Sequence, residues 1–156
     1  MIKIIIENDI FVSNTSEIVN TVFYIDYQGT CFPDNQWTDF ADTVLQWWAY
    51  ALIKNKDLKD VNFDLYFMDG PYRLNVYKGA NMDLTISCIN SRVEDISELI
   101  IKCSYIEFML ALHDAFKSFS NILYCNKMHE GRFEPIYRQS IIIMNEIKEI
   151  ISSYNK

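Results

Sequence analysis

The sequence predicts an α+β fold: a single domain on an antiparallel sheet of about five strands, with three helices packed mainly on one face. Three observations predict it. Between residues 61 and 89 apolar and polar residues alternate in three successive segments joined by short turns, the pattern of a meander with one buried face. Residues 39–56 place apolar side chains at three- and four-residue steps, the period of a helix. From residue 94 onward the same helical period runs to the end of the chain, broken only by a polar loop. The predicted order is β-β-α-β-β-β-α-α over residues 1–156.

The first strand is Ile2–Glu7, an isoleucine run closed by Asn8 and Asp9. The second is Asn20–Tyr27, with Val22, Tyr24 and Asp26 on one face and Phe23, Ile25 and Tyr27 on the other; Gly29 ends it. Phe32-Pro33-Asp34 reads as an extended exit and a turn, because proline fixes its own φ and pushes Phe32 out of the helical region. A helix then runs from Thr38 or Asp39 to Lys56, with Ala41, Val44, Leu45, Trp48, Ala51 and Leu52 on its apolar stripe. Asp39 and Asp42 in its first turns and Lys54 and Lys56 in its last match the helix dipole. The meander strands are 61–69, 72–78 and 82–89, turned at Gly70-Pro71 and at Gly79-Ala80-Asn81. Residues 94–124 read as one long helix, with Glu98 and Lys102 as an i,i+4 pair and Leu99, Cys103, Ile106 and Leu110 on one strip. After the polar stretch 126–135, residues 136–154 form the last helix.

Composition narrows the function classes. Half of the 156 residues are hydrophobic, enough for a substantial core. With only 4 glycines, there is no Gly-rich phosphate cradle. The net charge of −7 sits almost wholly in residues 1–53, where seven acids (Glu7, Asp9, Glu17, Asp26, Asp34, Asp39, Asp42) face one lysine, Lys3. Direct nucleic-acid binding needs a basic face and is disfavoured. A basic protein is what such a field attracts, although a charged surface also serves solubility alone. Cys31, Cys88, Cys103 and Cys125 form no CxxC pair and lie among apolar neighbours, so free thiols in a reducing cytoplasm are expected. No signal peptide is read at the N-terminus, where Glu7 and Asp9 interrupt the apolar run, and no run suits a membrane span.

Catalytic patterns are sparse. His113 lies on the predicted apolar strip and reads as a core or half-buried histidine; His129 lies in the polar loop. No serine stands in a nucleophile elbow, and the Cys125–His129 spacing across a loop carries little information. Asp34, Asp39 and Asp42 lack the alternating oxygens and glycine of a calcium loop. No catalytic, cofactor-binding or metal residues are assigned. What remains is aromatic surface among acids: Trp37, Trp47 and Trp48 beside Asp26, Asp34, Asp39 and Asp42. Aromatic anchors with steering charges are features of protein interfaces, and packing accounts for tryptophans equally well.

The run FPDNQWTDFADTVLQWW, with Phe32, Pro33, Trp37, Asp39, Phe40, Leu45, Trp47 and Trp48, resembles bacterial immunity proteins of polymorphic-toxin and contact-dependent growth inhibition systems. Phe67, Asp69 and Gly70 in FMDGPYRL match more loosely, and the likeness covers about a quarter of the chain. It implies a cytoplasmic protein that binds one cognate toxin domain, without catalysis or cofactor. Many such toxins are nucleases with basic clefts, so a basic toxin domain is the expected partner. The residues expected to meet it are Asp26, Asp34, Asp39, Asp42 and Tyr72, with Tyr66, Tyr77 and the loop 127–134 as further candidates. Two other readings compete. One is an enzyme or ligand-binding domain with a pocket near His113 and Tyr105; the other is a subunit that homodimerises through the last helix.

Overall fold

The structure is a computed structural model and describes residues 1–12 and 17–154. The strands are β1 (Ile2–Ile6), β2 (Phe11–Val12), β3 (Val19–Tyr27), β4 (Thr30–Phe32), β5 (Thr38–Phe40), β6 (Val61–Tyr66), β7 (Tyr72–Lys78), β8 (Asp83–Asn90) and β9 (Ile96–Ser104). The helices are α1 (Ala41–Lys54), α2 (Tyr105–Cys125) and α3 (Glu134–Tyr154). The fold is α+β with antiparallel sheets and three helices, as the sequence predicts. The strands are distributed differently: they form two sheets, of five and four strands, instead of one.

The first sheet is organised around β3. Residues 25–27 of β3 lie between β1 and β4, and Asn20 lies between β2 and β5. The second sheet is the meander β6-β7-β8-β9. Its inner face carries Leu65, Leu74, Val76, Leu84, Ile86, Cys88, Ile101 and Cys103, all buried. These residues, the inner face of β3 and the apolar faces of the helices form one continuous buried cluster.

The strand β9 corrects the reading of 94–124 as one helix. Ile96, Leu99, Ile100 and Cys103 fit a helical period, but Leu99, Ile101 and Cys103 also alternate with exposed Ile100 and Lys102 and pair along β8. Pairing with β8 decides the matter, since tertiary context outweighs local period. The helix begins where Ser104 accepts a hydrogen bond on its Oγ from the Glu107 backbone N–H at 3.1 Å. Ser104-Tyr-Ile-Glu107 is a capping-box sequence and marks that boundary. Leu99 and Cys103 therefore do not share a helical strip with His113.

The helix after residue 38 starts later than predicted. Thr38–Phe40 is strand β5, and α1 begins at Ala41. Trp48 is fully buried, and its Nε1 donates to the Tyr66 carbonyl at 2.8 Å. Its ring meets Phe23 and Phe67 edge-on, with centroids 5.2 Å away in both cases. Trp47, 47% exposed, points outward. Trp37 lies across Gly70, where a Cβ would come within 2.7 Å of the indole. Gly70 also has φ +69°, so the close approach and the backbone both require glycine.

The end of α1 is held by a buried cation. Lys78 is fully buried, and its Nζ donates to the carbonyls of Asn55, Lys56 and Leu58. Three donors meet three acceptors at the negative end of the helix, and the ammonium stands 4.9 Å from the Tyr105 ring centre. Burial pushes the Lys78 pKa down, since desolvation penalises the charge. Replacing Lys78 by Met strands three carbonyls and is expected to lower stability by about 2–4 kcal/mol. Urea denaturation of the variant against the native protein measures this.

Candidate protein-interaction surface

Strand alternation sorts the four aspartates of the acidic segment. Asp39 stands opposite Thr21 of β3, on the inner side of the sheet, and both are fully buried. Its carboxylate accepts from the backbone N–H of Phe40 at 2.7 Å, Met68 at 3.2 Å and Asp69 at 3.2 Å, and from Trp37 Nε1 at 3.4 Å. Burial raises its pKa, and the hydrogen bonds from Phe40, Asp69 and Trp37 pull against that rise. The expectation that Asp39 projects toward a partner is therefore corrected: as a strand residue with an inward side chain, it fastens β5 to the turn after β6.

Asp42 is half-buried in the first turn of α1 and accepts from the Val19 N–H at 3.1 Å. It sits in a pocket of about 220 Å³ with Gln46, Phe116, Ile136 and Gln139. Burial raises its pKa as well. Tyr72 is half-buried and packs edge-on against Phe32 and Trp37, with centroids 5.6 and 4.9 Å away. Its ring is a packing element between the sheets and not a free anchor.

Asp26 and Asp34 do reach the surface, Asp26 on the outer face of the first sheet and Asp34 in the turn that follows β4. Asp26 lies between Lys3 of β1 and Cys31 of β4, and accepts from the Gly29 N–H at 2.9 Å. Exposed Asp34 accepts from the Gln36 N–H at 2.8 Å. Tyr24, two residues from Asp26 on the same face, reaches the Glu7 carboxylate at 3.5 Å. Glu7 and Cys31 are absent from the expected site, although Tyr24 and Asp26 read as sharing a face. Their position depends on the pairing of β3 with β1 and β4, which strand patterns alone do not specify. The local field is negative: the Cys31 thiol pKa is raised by burial and then by Asp26 and Asp34, and that of Tyr24 by burial and then by Glu7, Cys31 and Asp26.

The outer face of the second sheet is a separate, largely self-satisfied network. Arg73 donates to both carboxylate oxygens of Asp95, at 2.6 and 3.2 Å, and lies 3.7 Å from Asp64. This holds the Asp95 pKa down at about 2. Exposed Tyr66 and Tyr77 donate to Asp64 at 3.1 Å and to Asp60 at 3.0 Å.

Of the pocket expected near His113 and Tyr105, the Tyr105 side is filled core, and the open space between the first sheet and α2 lies beside Ile106, Leu110 and Asp114. The Tyr105 side chain is fully buried, and its hydroxyl donates to the Leu52 carbonyl at 3.0 Å. His113 is half-buried, with Nδ1 3.6 Å from Asp114. His129 stacks on Tyr124, ring centres 4.3 Å apart. The thiols of Cys88 and Cys103 are pushed up to about 12, chiefly by burial. Among the described residues, no group of three or more His, Cys, Asp or Glu is arranged to hold a metal ion, and no helix is long and apolar enough to cross a membrane. Comparison with protein-family models, curated proteins and solved structures returns no match.

In a Cys125→Ser background, replacing Asp26 and Asp34 by Asn lowers the Cys31 pKa, so its alkylation at pH 8 accelerates by about two- to fivefold. Iodoacetamide labelling followed by mass spectrometry measures it. For Asp42, the folded pKa lies above its ordinary 3.8, so the folded state holds the proton more tightly. Its contribution to stability therefore falls as pH rises from 3.8 through the raised value. Asp42→Asn removes that component, and urea midpoints of variant and native protein between pH 4 and 7 should diverge accordingly.

Proposed function

We propose that the protein is an immunity protein: a stoichiometric, non-catalytic inhibitor of a cognate toxin domain in the cytoplasm of the bacterium that makes it. The observation that carries this reading is the outer face of the first sheet. Glu7, Asp26 and Asp34 surround Tyr24 and Cys31 on a rigid antiparallel framework. A fixed negative field on a stiff surface steers a basic partner and costs little ordering on binding. The partner is a basic domain, and a nuclease fits, because acidic side chains can stand where phosphates would lie in its cleft. The resemblance of residues 32–48 to immunity proteins supports the same reading. That segment contains buried Phe32, Asp39, Leu45 and Trp48, so its likeness concerns the framework more than the contact surface.

The test is a tagged capture from the native bacterium with washes at low and high salt. A single stoichiometric basic partner, toxic when expressed alone and harmless with this protein, is the expected result. Asp26→Lys with Asp34→Lys should then slow association by about tenfold at low salt, and the difference should shrink at high salt. Absence of any stable partner, or an association rate indifferent to both reversals, counts against the proposal.

A further inference from the structure

Beside β1 the fold leaves a groove of about 470 Å³ with a strand edge for one wall. Residues of β1 form that wall, and Ile106, Glu107, Leu110, Ala111 and Asp114 of α2 form the other. Among the described residues, β1 pairs with β3 alone. The direction of its peptide groups follows from two hydrogen bonds. The N–H of Glu7, which follows the strand, donates to the Val22 carbonyl at 3.2 Å, so odd-numbered residues turn their peptide groups toward β3. The N–H of Ile2 points the other way and reaches Glu107 Oε1 at 3.4 Å. Ile4 and Ile6 lie between them and, by the same alternation, present their N–H and C=O to the groove side.

We infer that this edge receives an extended segment of the basic partner as an added strand, with alternating apolar and basic side chains. The inference rests on the inhibitor reading above. The alternation follows from the two faces that such a strand would have. Side chains turned inward would meet Ile106, Ala111 and Leu110, and Leu110 is 46% exposed for want of a neighbour. Side chains turned outward would join the face that carries Glu7 and Asp26, and Glu107 and Asp114 add negative charge along the groove. Among the described residues, Lys3 is the one basic side chain on the groove wall. Main-chain pairing supplies the binding and the alternate positions supply the selectivity.

The probe is a capped heptapeptide of alternating lysine and valine, added to the full ¹⁵N-labelled chain. The expected result is slower exchange of the Ile4 and Ile6 amide protons, by about fivefold or more near saturation. A peptide N-methylated at the positions facing β1 should give no slowing, and Leu110→Lys, an exposed substitution, should abolish the effect at unchanged thermal stability. Unchanged exchange at Ile4 and Ile6, equal slowing with the N-methylated peptide, or slowing that grows with protein concentration alone each overturns the inference; the last would make a second copy the occupant. The two proposals fail separately. A captured toxin that binds Leu110→Lys with native affinity and leaves Ile4 and Ile6 unprotected removes strand addition and keeps inhibition. Protection by the peptide in a protein with no toxin partner keeps the edge site and removes inhibition.

Discussion

The two sheets meet at one buried carboxylate. Asp39 leaves the end of the first sheet and accepts hydrogen bonds from Met68 and Asp69, which follow the first strand of the second sheet. A buried charge is tolerable only when it is fully hydrogen-bonded, and here the donors are backbone N–H groups and an indole. The aromatic packing follows from that junction. With β5 held to the turn, Trp37 lies across Gly70, Tyr72 meets Trp37 and Phe32, and Phe67 reaches Phe23 and Trp48. Lys78 plays the corresponding part at the other end of α1, where it closes three carbonyls with its ammonium.

The legible parts of the fold were those whose pattern is local. The meander from Val61 to Asn90 alternates cleanly because one face is buried and the other is not, and β7 falls on the predicted residues 72–78. The stripe of α1 and the last helix carry enough turns for the helical period to stand out. The stretch 96–104 misled because its apolar residues satisfy both periods, and only pairing with β8 separates them. The cap at Ser104 and Glu107 was the one local signal against a continuous helix. Division into two sheets depends on β3 taking neighbours along both edges, a long-range choice that no window of sequence contains.

The candidate surface was legible to the same extent. A negative first third is a property of composition, and it was visible. Which carboxylates serve the fold and which serve the surface depends on a single residue of register. Placed in a helix, Asp39 and Asp42 would both stand near its exposed start. With Thr38–Phe40 extended, Asp39 turns inward, and Asp42 turns to the Val19 N–H. Asp26 and Asp34 remain outside, joined by Glu7, which approaches through the pairing of β1 with β3.

Exposed carboxylates act over a Debye length and chiefly set the rate of encounter, with modest holding power once salt is present. Long residence needs desolvated contact, and on the outer face of the first sheet exposed Phe11 lies beside Asn20, away from Asp26. The groove beside β1 adds peptide groups that pair with nothing among the described residues, and exposed Leu110, next to the same acids. A basic strand drawn by Glu7 and Asp26 would arrive at an edge able to pair with it. Steering and retention would then use adjacent surfaces of one sheet, with neither demanding movement of the core that Asp39 and Lys78 lock in place.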